Sequence, residues 1–392
     1  MFSFEISFVA WLLAGTLVIL IAAAYFYGLR PYLRVASYDA GRDGQGETPE
    51  DRMPKATVIV HCQNDDEVLD DVLRQLFAQD YPDFEVVVVL DSNLEYADIV
   101  TERYAGVYKN LYFTFVQPGS HNLSRRKLAN TIGIKAAKGD VIVTTVANIR
   151  IASERWLSDL MAPFRDGATD VSLGLSRLDM RELTGPRKWF RQFDDVLGDG
   201  LWLGYAIDGH PYRGDGYNLA FRRSVFFDHK GYAKSINLHC GDDDLFISEI
   251  ARGDNTRVVL SDESIVTAEW GTAANRVWAI RKARYSFTER WLPRAPFIRS
   301  AVLSALQWAV PGCAVGLSFA GLPSLYPLIF AALAVLAFWG MEIHHYRRLA
   351  HRLGAVRLWW AVVPFWMARP VANFFFDIEY RANKKKNFTW QR

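Results

Sequence analysis

The chain has 392 residues, 51% of them hydrophobic, and a formal net charge of +2 at pH 7. This length allows one large or two modest domains, and the near-zero charge argues against a nucleic-acid-binding surface. Its three cysteines, Cys62, Cys240 and Cys313, lie far apart and form no CxxC pair. We therefore expect free thiols in a reducing compartment, with neither a disulfide nor a zinc framework.

The first predicted element is an apolar helix. Residues 8–27, FVAWLLAGTLVILIAAAYFY, carry no charge, and about twenty helical residues span roughly 30 Å of hydrocarbon. A cleaved signal peptide is the alternative, but its basic n-region is missing and the apolar run is too long. Arg30 and Arg34 follow the run directly. By the positive-inside rule, residues 1–30 predict a membrane anchor whose C-terminal end faces the cytoplasm.

Next come a linker and an alternation of strands and helices. Residues 31–55 are largely polar, with glycine and proline, which predicts a linker. The runs ATVIVHC (56–62), FEVVVVL (84–90) and GDVIVTTV (139–146) then alternate with helical patterns. Continuous Val/Ile runs of this kind indicate a parallel sheet covered on both faces. We predict a Rossmann-like α/β domain over 56–298, with ligands bound beyond the carboxyl ends of its strands.

Polar side chains follow these strands. Asp65 and Asp91 come just after strand ends, where carboxylates could bind a nucleotide's base and ribose; the alternative is that aspartate simply favours turns. Arg125, Arg126 and Lys127 begin a predicted helix. Cations there oppose the helix dipole, so they suggest an incoming diphosphate, with a solvated basic face as the alternative.

Three consecutive aspartates stand before another apolar-periodic helix. HCGDDDLFISEIARG places Asp242, Asp243 and Asp244 between a glycine and this helix; we call them the aspartate triplet. Helix capping is the simple explanation, but capping needs one such residue and not three.

The C-terminal part of the chain is again apolar. Two spans separated by GLPS predict a transmembrane hairpin over 299–345. The predicted topology puts the basic start of 346–392 in the cytosol. Within that region, 358–376 is aromatic but interrupted by Pro364, Arg369 and Pro370, and we predict an interfacial or re-entrant helix, with a fourth span as the alternative. The expected location is the inner membrane, with a cytoplasmic catalytic domain.

Five motifs in order resemble a family 2 glycosyltransferase over residues 56 to about 291. They are VIVHCQNDDE, LFAQDYPDFEVVVVLDS, RRKLANTIGIKAAKGDVIV, GDGYNLAFRRSVF and GDDDLFI. The resemblance implies a membrane-attached, inverting GT-A domain that uses a nucleoside-diphosphate sugar, with UDP favoured. It also implies a lipid-linked or glycan acceptor and contact with membrane lipids.

The resemblance assigns roles by position. Asn64, Asp65 and Asp91 match the nucleotide-contacting places, and Arg126 and Lys127 lie in the basic helix.

On the acceptor side, Asn218 falls in the glycine-rich segment. Counting back from Gly253 places the base on Asp243, with Asp242 in the preceding acidic place. A carboxylate within hydrogen-bond reach suffices to deprotonate an acceptor hydroxyl, and neighbouring like charges raise at least one carboxyl pKa.

A basic aromatic motif lies in the predicted interfacial segment 272–298. WAIRKARYSFTERW matches the place of the family's Gln-x-x-Arg-Trp motif, and here reads Arg281, Arg284 and Tyr285. These residues are expected to contact the acceptor or the departing diphosphate. The alternative is that they bind lipid head groups of the inner leaflet.

The chain departs from the family at the metal motif. The resemblance implies Mg²⁺ or Mn²⁺ held by Asp-x-Asp, but this chain reads Val146, Ala147 and Asn148. Only Asn148 offers an oxygen, and that oxygen is neutral. We expect metal binding to be weakened, because two unit charges at about 4 Å interact by about 4 kcal/mol at an effective dielectric of 20.

The expected function is therefore transfer of a sugar at the cytosolic membrane face. A processive polysaccharide synthase would need a partner membrane protein or a homo-oligomer to build a channel. A non-catalytic GT-A-like scaffold is the third hypothesis, motivated by Val146 and Asn148. Trp189, Trp202 and Tyr205 could stack on a sugar or simply pack in a core.

Overall fold

The computed structural model describes residues 7–38, 53–63, 66–91, 94–117 and 124–382. Asn64, Asp65 and most of the predicted linker lie outside them. The chain divides into two compact units, which we describe separately. The helical unit comprises Met1–Ser37, Pro186–Gly204 and Pro293–Ala382, and the sheet unit comprises Tyr38–Gly185 and Tyr205–Leu292.

The regular elements are numbered in chain order. The strands of the described residues are β1 Ala56–Cys62, β2 Phe84–Leu90, β3 Leu111–Phe115, β4 Val141–Val146, β5 Ile149–Arg150, β6 Val171–Leu173, β7 Ser176–Leu178, β8 Leu219–Arg222, β9 Thr256–Val258 and β10 Val266–Ala268. The α-helices are α1 Phe8–Ala23, α2 Arg30–Ala36, α3 Asp66–Phe77, α4 Leu94–Tyr104, α5 Arg125–Ala136, α6 Trp156–Met161, α7 Pro186–Ile207, α8 Arg223–Asp228, α9 Asp244–Ile250, α10 Ala274–Thr288, α11 Arg294–Ala320, α12 Tyr326–Arg352 and α13 Val362–Ala382.

A seven-stranded sheet forms the centre of the sheet unit. Its strand order is β3-β2-β1-β4-β8-β6-β9. Neighbours within β3, β2, β1 and β4 run parallel, whereas β8 runs antiparallel to both β4 and β6. The parallel α/β sheet expected from the Val/Ile runs is confirmed for strands β3, β2, β1 and β4. The antiparallel strand β8 makes the complete sheet a mixed one.

The Val/Ile runs form the interior of this sheet because both of their faces are covered. Every residue of β4 is buried, and so are six of the seven residues of β2. The helix α3 supplies Leu69, Val72, Leu73 and Leu76 to the core beneath β1 and β2. Parallel strands covered on both faces need such continuous apolar sequence. A smaller three-stranded sheet, in the order β5-β10-β7, completes the unit.

The helical unit contains the apolar segments. Among the described residues, three helices are long and apolar enough to cross a membrane: Phe8–Gly28, Arg294–Ala320 and Tyr326–Arg352. They pack through small and branched side chains such as Ala10, Leu17, Val310 and Ala314. The expected N-terminal and C-terminal apolar helices are confirmed.

Polar contacts also join the helices of this unit. Gln307 of α11 donates a hydrogen bond to Glu342 of α12, and both side chains are buried. Arg369 of α13 donates to Asp194 of α7 at 2.7 Å. Helix α13 is not among the helices that are apolar enough to span a membrane in the described part of the chain. Its interfacial placement stays a prediction.

Candidate active site

The aspartate triplet lies at the start of α9, in the sheet unit, and all three side chains are buried. Gly241, directly before it, has a φ of +98°, a conformation that side-chain-bearing residues rarely adopt. The chain turns sharply there and then enters the helix through Asp243, which is the N-cap. Leu245, Phe246 and Ile247 follow and are all buried. The aspartate triplet therefore lies in the protein interior, where this apolar helix packs.

Asp242 is held between two arginines from different helices. Its Oδ2 lies 2.7 Å from Nε of Arg126, at the start of α5, and Nη2 of Arg284, on α10, donates to its Oδ1 at 2.5 Å. Burial raises the pKa of Asp242, but Arg284 and Arg126 outweigh burial and lower that pKa to about 2. Asp242 is therefore an anion across the physiological range.

Asp243 has a different environment. Its Oδ1 accepts a hydrogen bond from the backbone N–H of Asp244 at 2.9 Å. Among the described residues no lysine or arginine nitrogen forms an ion pair with it, whereas Asp242 and Asp244 lie alongside. Burial, followed by those two carboxylates, raises the pKa of Asp243 to about 7. Such a carboxyl can accept a proton at neutral pH.

Gly216 brings a third segment against Asp243. A Cβ atom at position 216 would lie 3.2 Å from Cβ of Asp243 and 2.9 Å from Nη2 of Arg126. The carbonyl of Gly216 accepts a hydrogen bond from Arg126 at 3.1 Å. Only glycine allows this approach without displacing a neighbour, so the missing side chain at Gly216 lets this segment pack directly against Asp243 and Arg126.

Asp244 anchors α9 internally. Its carboxylate accepts hydrogen bonds from the Thr288 hydroxyl at the end of α10 and from the backbone N–H of Leu245. The three aspartates therefore perform different tasks: Asp242 pairs with arginines, Asp243 caps the helix, and Asp244 ties α9 to α10. The sequence alone predicted an acidic cluster but not this division.

Arg213 is a site residue that sequence reasoning missed. It is buried, and its guanidinium carbon lies 3.9 Å from the ring centroid of Tyr285. Burial lowers the pKa of Arg213, but Tyr212, Tyr285 and the nearby aspartates raise it by more. A cation stacked on an aromatic face is stabilised when it is desolvated. Tyr285, predicted from the basic aromatic motif, thus lies close to the aspartate triplet.

Asp91 lies just beyond β2 and is also paired. Arg125 donates to its Oδ1 at 2.6 Å, and Nε2 of His61 lies 3.4 Å from its Oδ2. Burial raises the pKa of Asp91, but His61 and Arg125 together lower it. The first two cations of α5 thus face carboxylates, Arg125 facing Asp91 and Arg126 facing Asp242. These ion pairs offset their unfavourable position at the helix N-terminus.

Two residues that were predicted to contact ligands, Lys127 and Asn218, form hydrogen bonds within the protein. The ammonium of Lys127 is buried and donates to the carbonyls of Ser235 at 2.5 Å and Leu238 at 3.1 Å. It fastens the segment before the aspartate triplet to α5. The buried amide of Asn218 donates to the carbonyl of Leu175 at 2.9 Å. Its Oδ1 accepts from the indole N–H of Trp156 at 3.0 Å. Their assignment to ligand binding stays a prediction.

The remaining candidates are distributed over both units. Arg281 lies half-buried on α10, one turn before Tyr285. Trp189 and Trp202 belong to the helical unit, where Trp189 packs edge-on against Trp360 with ring centroids 5.2 Å apart. Tyr205 belongs to the sheet unit and packs against Tyr212. Trp189 and Tyr205 thus make ring contacts within their own units, and sugar stacking by these aromatic residues stays a prediction.

Among the residues that the structure describes, the end of β4 does not offer the ligands of a divalent cation. Oδ1 of Asn148 is buried without a hydrogen-bond partner, beside a cavity of about 350 Å³. Two carboxylates line this cavity, but Glu269 accepts from Arg150 and Asp71 accepts from Arg74. A hard dication prefers several free oxygen ligands. One neutral oxygen does not fit that requirement, so the reaction proposed below gives a metal no role.

The fold is GT-A-like. Its mixed sheet has β1, β2 and β4 parallel, and basic residues of α5 and α10 hold the acidic start of α9. The chain belongs to glycosyl transferase family 21, whose family model matches residues 16–391. This match confirms the glycosyltransferase class that the motifs implied, and the family that it shows is family 21. A search of curated proteins found no match.

The solved structures that are similar to this chain include two with bound nucleotide sugars. The mannosyltransferase PcManGT from Pyrobaculum calidifontis, in complex with GDP-Man and Mn²⁺, is 19% identical, with 92% of this chain and 99% of that chain covered and a TM-score of 0.53. TarS 1-349 of S. aureus, in complex with UDP-GlcNAc, is 16% identical, with 81% and 92% covered and a TM-score of 0.43. The first likeness supports the GT-A-like fold.

Proposed function

We propose that this family 21 glycosyltransferase moves a sugar from a nucleoside-diphosphate donor to an acceptor hydroxyl, with inversion, and that Asp243 is the base. The observation that carries the proposal is the buried Asp243 carboxylate, which forms no ion pair among the described residues and lies between two other carboxylates, next to the arginine-paired Asp242. Family membership supports the reaction class.

In the proposed reaction the acceptor oxygen attacks the anomeric carbon of the donor sugar. The bond between that carbon and the diphosphate oxygen breaks, and its electron pair leaves with the nucleoside diphosphate. The acceptor proton passes to the carboxylate of Asp243. A pKa of about 7 suits this step, because such a group is largely ionised at pH 8 yet basic enough to accept a proton.

The donor's diphosphate carries negative charge that must be offset. Arg126 and Arg284 are the proposed contacts, because both guanidinium groups lie beside the aspartate triplet and both side chains are partly exposed. Guanidinium groups bind phosphate oxygens in a bidentate manner. Asp91 and, by resemblance, Asn64 and Asp65 would contact the nucleoside. A nucleotide-sugar donor is supported by the fold shared with PcManGT, which binds GDP-Man; the motif resemblance favours UDP.

The acceptor is proposed to be lipid-linked or a membrane-proximal glycan. Three helices able to cross a membrane support membrane attachment. Arg30 and Arg34, directly after the first of them, support a cytosolic face for the sheet unit through the positive-inside rule.

A donor-turnover assay tests the function. The detergent-solubilised full chain is incubated with UDP- and GDP-sugars, and release of nucleoside diphosphate is measured. Asp243→Asn should lower turnover by about 10²- to 10⁴-fold, the range for losing a general base. Asp83→Asn is the control, because that side chain is 61% exposed. Equal turnover by wild type and Asp243→Asn would contradict the assigned base.

A non-catalytic scaffold is the second candidate, favoured by one observation. Val146 and Asn148 occupy the positions where the resembled family has metal-binding carboxylates, and Val146 is a buried apolar residue. Failure of the wild-type chain to turn over any donor, together with failure to bind UDP or GDP, would favour the scaffold over the enzyme.

A further inference from the structure

The Asp242 carboxylate is shared by two guanidinium groups, with Arg126 at its Oδ2 and Arg284 at its Oδ1. Its side chain is only 1% exposed, whereas those of Arg126 and Arg284 are 15% and 27% exposed. The carboxylate is thus enclosed, while the arginine side chains on either side of it are partly exposed. A solute that arrived at this surface would meet the arginines before the aspartate.

The arginines also retain unused capacity. A guanidinium has five N–H donors in a planar fork. The contacts of Arg126 are Nε beside Asp242, Nη2 to the Gly216 carbonyl, and the Tyr217 ring centroid at 4.8 Å. Two cations face a single paired carboxylate here, since Asp243 forms no ion pair within the described part of the chain. The arrangement therefore suits a further anion of higher charge.

We propose that Asp242 is a resident counter-ion, which the diphosphate of a nucleoside diphosphate displaces from Arg126 and Arg284. In the ligand-free site the carboxylate holds both guanidinium groups in place. When the diphosphate binds, its oxygens take over some or all of these contacts. This inference rests on the proposed function, because it takes the donor's diphosphate as the competing anion.

The exchange has a consequence for Asp242 itself. The two arginines are what keep its pKa near 2 against the effect of burial. A buried carboxylate that loses its cations regains affinity for a proton. Asp242 would thus become more basic only when the diphosphate has taken over its arginines.

Nucleotide affinity in Asp242→Asn tests the exchange. The neutral amide no longer competes for the arginines, so UDP or GDP should bind at least about tenfold more tightly than to wild type. The measurement is isothermal titration calorimetry with UDP and with GDP on the solubilised full chain. A residue needed only for structure would instead weaken binding when replaced. Binding of equal or lower affinity by folded Asp242→Asn would overturn the proposal.

Two further variants make the test independent of how well Asp242→Asn folds. Arg284→Gln removes one of the two cations and should weaken UDP or GDP binding at least about tenfold; unchanged affinity would overturn the proposal. Asp194→Asn is the matched control, because Asp194 is also buried and held by an arginine, Arg369, in the helical unit. It should leave nucleotide affinity unchanged. If wild type binds neither nucleotide, the proposed function fails instead.

Discussion

Replacing Asp243 with asparagine should stabilise the protein while it lowers turnover. In the folded chain the Asp243 pKa is about 7 instead of its ordinary 3.8. Between these values the native state holds a proton that the unfolded chain releases. The stabilising contribution of the protonated group is complete below about pH 4 and is lost as the pH rises to about 7.

The size of the effect follows from the two pKa values. A difference of about 3 pH units, at about 1.4 kcal/mol each, gives roughly 4 kcal/mol of destabilisation above pH 7 as an upper figure. An asparagine side chain at this position would carry no charge at any pH and so would escape this cost. Asparagine also caps helices about as well as aspartate, so the hydrogen bond to the N–H of Asp244 should persist.

Thermal unfolding of the detergent-solubilised chain at pH 5 and pH 8 checks this. For a unit of this size 1 kcal/mol corresponds to about 2–4 °C in Tm. Asp243→Asn should therefore raise Tm by up to roughly 10 °C at pH 8 and by less than half as much at pH 5. Asp83→Asn, on an exposed turn, should change Tm little at either pH. A Tm shift of Asp243→Asn that is negative, or equal at both pH values, would refute the buried, destabilised carboxylate.

Three other substitutions probe the site and the helical unit. Gly216→Ala places a methyl group 3.2 Å from Cβ of Asp243 and 2.9 Å from Nη2 of Arg126; because one of these side chains must move, kcat/KM should fall about tenfold or more, and an unchanged value would mean that their exact positions do not matter for turnover. Val146→Asp restores one carboxylate at the end of β4, so Mn²⁺ should stimulate turnover more in the variant than in wild type, as EDTA titration would reveal. Arg369→Ala removes the guanidinium that pairs with the buried Asp194 and should cost roughly 3–5 kcal/mol, with a lower Tm that Arg369→Lys restores in part.

The sequence predicted the central strands well because burial dictates their composition. β1 and β2 begin and end where the apolar runs ATVIVHC and FEVVVVL do. The short strands β5, β6, β7, β9 and β10 have two or three residues each. Such strands are too short to show a periodicity, and their pairing depends on residues far away in the chain.

The candidate site divides in the same way. The aspartate triplet and the basic start of α5 are local signals, and the sequence indicated both. The pairing of Asp242 with Arg284 joins positions 42 residues apart, and no local pattern encodes it. Arg213 stands in HPYRGDG without any periodic or motif signal. Asn218 shows a second limit of the sequence. An asparagine whose buried amide donates to backbone carbonyls cannot be told from a ligand-binding asparagine by sequence alone.

The ion pair between Arg369 and Asp194 bears on biosynthesis. The two residues are 175 positions apart, so the ribosome exposes Asp194 long before its cation is made. Until then this ion pair cannot form. The helical unit can therefore reach its final packing only after synthesis has passed Arg369.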